Sequence, residues 1–300
     1  MNDSLDWNRW CEVFQDIDYF KPLINRIFIQ EQLGDVRQIE NVTKGTNAVF
    51  KVNDFIVKIF VPDEVKLWKE DDFNTEQSSI TRAMNLGVRT PRLVTAGSIT
   101  DNYVWKYMVL EFIDANEVGK IRIKLNQEQK IKFANDFSNI VNRLNKTPNY
   151  MYCNQSIKER VINGGRWEQA NMRVQKELKR ELENIDLSES VYVHGDLTAE
   201  NVMMNQSGDV YIIDFADSTI APSYYEYPPI LFDLFDCDKV MIKAFFKNKE
   251  KVVDLVYKGL LIHDFGGDFA KLLLKKYKNK SLKELDSLYE LKELIQFILV

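Results

Sequence analysis

Histidine and cysteine are scarce in this chain of 300 residues: there are two of the first, His194 and His263, and three of the second, Cys11, Cys153 and Cys237. Three scattered thiols with no Cys-x-x-Cys pair make no disulfide framework, so buried thiols are expected. Two histidines argue against a histidine-based zinc site. No apolar run reaches bilayer length, and the start, Met-Asn-Asp-Ser-Leu-Asp-Trp, lacks the charged and apolar regions of a signal peptide. A cytoplasmic protein with no membrane partner is therefore expected, as a monomer or weak dimer. A net charge of −5 argues against a nucleic-acid partner. What is abundant is core-forming material: 45% apolar and 12% aromatic residues suffice for one large domain or two lobes.

Positive charge is missing from one long interval. Between Arg180 and Lys239 there is no Lys or Arg, while thirteen Asp and Glu residues fall from Glu181 to Asp238. A solvated helix end accounts for Glu181, Glu183 and Asp186 but not for the others. The field in this interval should be strongly negative.

Inside that interval lies the stretch around which the chain is organised. Val191–Val193, Val202–Met204 and Val210–Ile213 have the content of short buried strands, and Asn205-Gln-Ser-Gly-Asp209 is a turn joining the last two. Asp196 precedes Asn201 by five positions, and Asp214 follows thirteen later. One loop and one strand end can thus present a carboxylate, an amide oxygen and a second carboxylate together. Mg²⁺ takes oxygen ligands and is usually held by one or two protein groups plus substrate phosphates, which suits Asn201 and Asp214. Phosphoryl transfer also needs a group that orients the attacking hydroxyl and takes its proton, and Asp196 is placed for it. His194 could serve as a base, though a brace for the loop is the preferred reading.

His194-Gly-Asp-Leu-x-x-x-Asn201 followed by Ile212-Ile-Asp-Phe215 resembles the aminoglycoside phosphotransferase and choline kinase family. Asp214-Phe-Ala-Asp-Ser-Thr-Ile-Ala-Pro-Ser-Tyr-Tyr-Glu-Tyr227 is similar, more loosely, to its hygromycin B phosphotransferase branch. The resemblance implies an α+β, two-lobed protein-kinase-like fold, with a small antiparallel-sheet N-lobe and a mainly helical C-lobe. It implies domains at 1–113 and 114–300, ATP or GTP with Mg²⁺ as cofactors, and antibiotic resistance as a biological setting.

The rest of the chain can be placed against that expectation. Ser4–Phe14 and Tyr19–Leu33 have helical spacing, with Asp3 or Ser4 as cap and Gly34 as stop. Trp7, Trp10 and Phe14 share a face expected to pack. Strands are predicted at Val36–Val42, Ala48–Val52 and Phe55–Phe60, with turns at Lys44-Gly45-Thr46-Asn47 and Asn53-Asp54. Lys58 interrupts an apolar run: it is either a snorkelling edge lysine or, as the resemblance implies, the lysine on the α and β phosphates. Glu76, on a predicted helix Asp71–Asn85, would then be its partner, with Glu70 the runner-up. Gly45, Thr46 and Asn47 would approach the phosphates. Val104–Asp114 resembles a kinase hinge, with adenine on backbone atoms near Glu111 and Ile113 and Leu110 behind it. Beyond come a helix Gln127–Leu144, a loop-rich Tyr150–Gly165, a charged helix Trp167–Ile185, and helices around Val240–Lys247, Lys251–Ile262, Asp268–Tyr277 and Ser281–Leu299.

Protein kinases differ at Gly195, where many have arginine, at Thr198, where many have lysine, and in an Ala-Pro-Glu that is missing here. The expected acceptor is therefore a small molecule. The acidic interval points to a hydroxyl-bearing cation, met by Asp217, Glu226 and Asp233, with Asp236 adding to the unpaired charge. Asp217 could instead be a metal ligand or a solvated acid.

Overall fold

The structure is a computed structural model that describes residues 5–68, 70–147, 157–246 and 251–300. The chain divides into two compact units, one of Met1–Asn85 with Arg89–Asp114 and one of Leu86–Val88 with Ala115–Val300.

In the first unit, α1 (Trp7–Val13) and α2 (Ile17–Gln30) start at Asp6 and Asp16, whose carboxylates accept the first free N–H groups of each helix. The caps expected at Asp3 or Ser4 lie outside the described residues. The sheet is antiparallel, in the order β1 (Ile39–Asn41), β2 (Ala48–Val52), β3 (Phe55–Ile59), β5 (Val104–Glu111), β4 (Leu93–Thr100). Alternation sorts its faces. Ala48, Phe50, Val52, Val57 and Ile59 point into a core closed by Trp10, Phe20, Ile24 and Phe28 of the two helices. The two N-terminal helices are thus part of this core. Lys58, between Val57 and Ile59, must face the other way, toward α3 (Asp72–Asn85). The strand expected over Val36–Val42 shrinks to three residues, because Asn53 Oδ1 takes the N–H groups of Arg37 and Gln38.

In the second unit, β6 (Asn116–Glu117), β8 (Val202–Met204) and β9 (Val210–Ile212) form one small sheet, and β7 (Ser190–Val193) pairs with β10 (Thr219–Pro222) in another. The helices are α4 (Val118–Ile121), α5 (Gln127–Leu144), α6 (Ile157–Asn163), α7 (Met172–Asn184), α8 (Lys239–Phe245), α9 (Val252–Ile262), α10 (Gly266–Lys278) and α11 (Leu288–Leu299). A 3₁₀ turn at Ser223–Glu226 and a π-helix at Pro229–Leu234 follow β10. The rings of Phe133, Phe137, Phe235 and Phe245 join α5, the π-helix end and α8.

Several expected boundaries move. The passage read as loop contains α6, its residues 150–156 lying outside the described ones. The charged helix begins only at Met172, where Asn171 caps it. The last predicted helix is a 3₁₀ turn, Leu282–Glu284, and then α11. Cys11 is exposed and not buried as expected, Cys237 is buried, and Cys153 lies outside the described residues. No helix among the described residues is long and apolar enough to cross a membrane.

Candidate active site

The loop from His194 to Asn201 leaves β7 and enters β8, and Asp214 follows directly on β9. Since β7 pairs with β10 and β8 with β9, the two loops run beside each other. Gly195 is where they meet. Its φ is +87°, and a Cβ there would lie 2.4 Å from the Asp217 carbonyl oxygen, so only glycine fits.

His194 is fully buried and uses both ring nitrogens on backbone. Nδ1 accepts the Asp196 N–H at 3.2 Å, which leaves Nε2 as donor to the Ile213 carbonyl at 3.1 Å. The imidazole thus bridges the Asp196 loop to the residue before Asp214. Asn201 adds a second bridge, since Ile213 N–H donates to its carbonyl at 3.0 Å. Its amide nitrogen donates to the Asp196 carbonyl (2.9 Å) and to Asp196 Oδ2 (2.6 Å). Both partners are acceptors, so the nitrogen must face them and Oδ1 points away, available to a cation.

Asp214 has φ +59°, in the left-handed region, a conformation that few side chains hold without support. The Asp196 carboxyl is held well above the usual carboxylate range, first by burial and then by the charges of Asp217, Asp214 and Asp233, with the Asn201 bond opposing. Hard oxygen donors in a field short of positive charge suit a divalent cation. Among the described residues no three or more His, Cys, Asp or Glu side chains close a cage by themselves.

The other acids expected at the acceptor are placed differently. Glu226 is fully buried, and its oxygens accept the N–H groups of His194 (2.5 Å) and Gly195 (3.3 Å). It cannot meet an acceptor, and burial pushes its carboxyl up to about 7. Asp233 accepts the Ala199 N–H at 2.7 Å. Asp236 pairs with Lys276 at 2.5 Å and Arg122 at 3.5 Å, and Asp238 with Lys130 at 2.7 Å. Bases from outside the interval thus neutralise acids that had none in sequence. Asp217 and Asp236 are exposed, Asp233 is half-buried and Glu226 is buried.

The first unit holds the other predicted residues. Lys58 Nζ lies 2.6 Å from Glu76 Oε2, with the two residues 4% and 1% exposed. Glu70, the alternative partner, instead offers its carbonyl to Lys66. Gly45 and Thr46 are exposed, whereas Asn47 is buried, its Oδ1 accepting the Val61 N–H at 3.2 Å. The Thr46 carbonyl takes the Trp10 indole N–H at 2.9 Å, a brace from α1. Leu110 is buried. The Glu111 N–H is committed to the Arg92 carbonyl and that of Phe112 to Asp54, so the first backbone donor at this strand end without such a partner belongs to Ile113.

The pattern of the phosphotransferase enzyme family matches residues 38–236, which include Lys58, Glu76, Asp196, Asn201 and Asp214. The chain belongs to that family. It is a phosphotransferase with a two-lobed α+β, protein-kinase-like fold. Solved structures similar to it include aminoglycoside 2'-phosphotransferase-IIIa in its GDP complex, at 16% identity and TM-score 0.60, covering 95% of this chain and 98% of that one. The amicoumacin kinase hAmiN, in complex with AMP-PNP, Ca²⁺ and Ami, is 14% identical with TM-score 0.60, over 91% and 99%. Choline kinase LicA from Streptococcus pneumoniae is 13% identical with TM-score 0.56, over 93% and 97%. No curated protein matches the phosphotransferase by sequence. None of these likenesses singles out the hygromycin B branch.

Sequence reasoning missed what Glu226 and Asp233 do in the phosphotransferase. The signal was present in the apolar neighbours: Tyr225 and Pro228–Phe232 frame Glu226, which is a poor setting for a solvated acid. It also missed the ring pair Tyr225 and His263, stacked at 4.3 Å. Burial pulls the His263 imidazole down to about 3.

Proposed function

We propose that the chain transfers the γ-phosphate of ATP or GTP, with Mg²⁺, to a hydroxyl of a small cationic acceptor, and that aminoglycoside-type antibiotics are the first class to test. The observation that carries this reading is the Asn201 amide locked by its nitrogen onto Asp196, with its oxygen turned out. In this reading Asn201 and Asp214 hold the metal, which when bound neutralises the phosphates and orients them. Asp196 accepts the proton of the attacking hydroxyl. Lys58, oriented by Glu76, holds the α and β phosphates, the 45–47 backbone covers them, and the Ile113 N–H with Leu110 receives the adenine or guanine ring.

The preference for a cation rests on the negative field at Asp196, to which Asp217, Asp214 and Asp233 contribute, whereas Glu226 is buried on backbone N–H groups and Asp236 is paired with Lys276 and Arg122. Each remaining pair would be worth roughly 1–4 kcal/mol, depending on the effective dielectric. Two of the similar structures support the class: one in the group is described as a complex with GDP and kanamycin, and another is a choline kinase. Choline and amino sugars are therefore the second class to test, under the same chemistry. Such a donor is available in the cytoplasm, where we place the enzyme, as a monomer or weak dimer.

The experiment is acceptor-dependent release of ADP or GDP, screened over aminoglycosides, choline, other hydroxyl amines, amino sugars and neutral nucleosides. A cation should be the best substrate, and its KM should rise with salt while kcat stays level. A neutral or anionic best substrate would remove the charge argument, and no release with any acceptor would overturn the reading.

A further inference from the structure

The proposed reaction gives α1 no part, yet this helix touches two of the segments that would hold the nucleotide. Trp10 is 1% exposed and donates its indole N–H to the Thr46 carbonyl at 2.9 Å. Trp7, one turn earlier, meets Trp68 edge to face at 5.3 Å, and the Trp68 indole N–H donates at 2.7 Å to Oδ2 of Asp72, the first residue of α3. We infer that α1 is a bracket that sets the 44–47 turn and the start of α3 together, with Trp10 as a positioning residue for the phosphate-binding turn. The bracket is a statement about the fold of the first unit; its effect on nucleotide rests on the phosphoryl-transfer reading above.

The direction of the Thr46 bond is what matters. A trans peptide is planar, with its N–H opposed to its carbonyl, and no described peptide bond is cis. Holding the Thr46 carbonyl on Trp10 therefore turns the Asn47 N–H away from α1, which is also the way Lys58 faces across the sheet. Among the described residues, the N–H groups of Gly45, Thr46 and Asn47 show no bond to protein. Successive N–H groups of this kind make a concavity suited to an anion. The tip gives no support of its own, since a Cβ built on Gly45 would meet nothing within 4 Å. The turn is held at its β2 end, by Trp10 on the Thr46 carbonyl and by Asn47 Oδ1 on the Val61 N–H.

The core makes the bracket rigid. The Trp10 ring packs edge to face on Phe20 at 5.8 Å, and Phe20 lies 5.6 Å from Phe50 of β2 and 6.0 Å from Trp105 of β5. At the other contact, Asp71 takes the Asn74 N–H on its side chain and the Thr75 N–H on its carbonyl, so α3 starts beside Trp68. Glu76, which holds Lys58, follows one turn after Asp72. One short helix thus reaches both the turn that would cover the phosphates and the helix that orients the lysine. All of these contacts lie within the first unit.

Trp10→Phe keeps an aromatic ring beside Phe20 and removes the N–H donor. Trp7→Leu keeps an apolar side chain and removes the ring pair with Trp68. Three measurements on the full chain test the bracket: trypsin cleavage after Lys44, which is exposed in the turn; hydrogen exchange of peptides spanning 72–78; and titration with a non-hydrolysable nucleoside triphosphate and the matching nucleoside. Trp10→Phe should speed cleavage after Lys44 about 5-fold and weaken the triphosphate about 5-fold, with the nucleoside within ~2-fold. Trp7→Leu should speed exchange over 72–78 about 3-fold. A merely structural role would weaken both ligands alike. The inference is overturned if Trp10→Phe moves neither cleavage nor triphosphate affinity by more than ~2-fold, or if the nucleoside loses as much affinity as the triphosphate. It is equally overturned if Trp7→Leu leaves exchange over 72–78 at the parent rate. The same point is read without a variant from the Trp10 indole N–H resonance, which should shift with the triphosphate and stay in place with the nucleoside; a resonance unmoved by the triphosphate overturns the inference. Should the parent bind no nucleotide, the functional reading fails, and cleavage after Lys44 with exchange over 72–78 decides the bracket alone.

Discussion

Replacing one member of the Lys58 and Glu76 pair should cost far more than replacing both. The two charges are 2.6 Å apart and almost wholly withdrawn from water, at 4% and 1% exposure. Lys58→Ala takes from the Glu76 carboxylate, and Glu76→Ala from the Lys58 ammonium, the opposite charge each now faces at 2.6 Å. Stranding one partner of a buried pair costs about 3–5 kcal/mol, because the survivor's desolvation is no longer offset. Lys58→Met with Glu76→Leu keeps the volume and leaves no charge, so the double variant should be less destabilised than either alanine variant, and near the parent. Function should divide differently: all three variants should lose affinity for a non-hydrolysable nucleoside triphosphate, since each lacks the ammonium or its orientation. The measurements are urea unfolding followed by circular dichroism, and isothermal titration with the nucleotide. Single variants that cost under ~1 kcal/mol would show that the pair is well solvated and refute the reasoning. A double variant that binds nucleotide like the parent would remove Lys58 from the phosphate site.

Other substitutions report on the second unit. Asp196→Asn should leave nucleotide affinity nearly intact by titration and lower turnover at least ~10²-fold, the usual share of a positioned base. Asp214→Ala should abolish transfer, and Asn201→Ala should weaken it and raise the Mg²⁺ requirement; full turnover at low Mg²⁺ in either would refute their assignment. Gly195→Ala should destabilise the protein by more than the ~1–2 kcal/mol of a left-handed residue, because the added Cβ also meets the Asp217 carbonyl, and a melt within ~1 °C of the parent would refute that. Glu226 should make stability depend on pH: its carboxyl is raised from 4.5 to about 7 in the folded chain, so its contribution is present below about 4.5 and is lost as pH rises through about 7. Denaturation midpoints across pH 4–8 should therefore fall less steeply with rising pH in Glu226→Gln, and parallel curves would refute the shift.

Much of the nucleotide side could be read from the chain because it depends on short-range pattern. The hairpin from Val202 to Ile212, the loop before it and Asp214 after it are fixed by strand content and a five-residue turn, and the structure has them within a residue of the reading. Lys58 was legible as an interruption of an apolar run. Its partner was harder, since Glu70 lies just before α3 and Glu76 within it, and spacing alone does not say which faces Lys58. The long-range assignments were not legible. Asn47 reads as a turn residue, yet its side chain is taken by Val61, fourteen residues on. The π-helix at Pro229–Leu234 has no period that a helix or strand search would find. Its arrival beside the Asp196 loop depends on the pairing of β10 with β7, between residues far apart in sequence.

The acidic interval shows why charge counted along a chain does not measure charge at a site. Thirteen acids without a base between them read as a negative field waiting for a cation. Folding brings Arg122, Lys130 and Lys276 in from either side of the interval and pairs them with Asp236 and Asp238. Backbone N–H groups take Glu226 and Asp233. What remains near Asp196 is fewer charges held more tightly: Asp214 in a left-handed turn and Asp217 at the surface, its carbonyl pressed against Gly195. Of the acids that composition counts, Glu226 and Asp233 bond the backbone of the Asp196 loop, whereas Asp236 and Asp238 are spent on Lys276, Arg122 and Lys130.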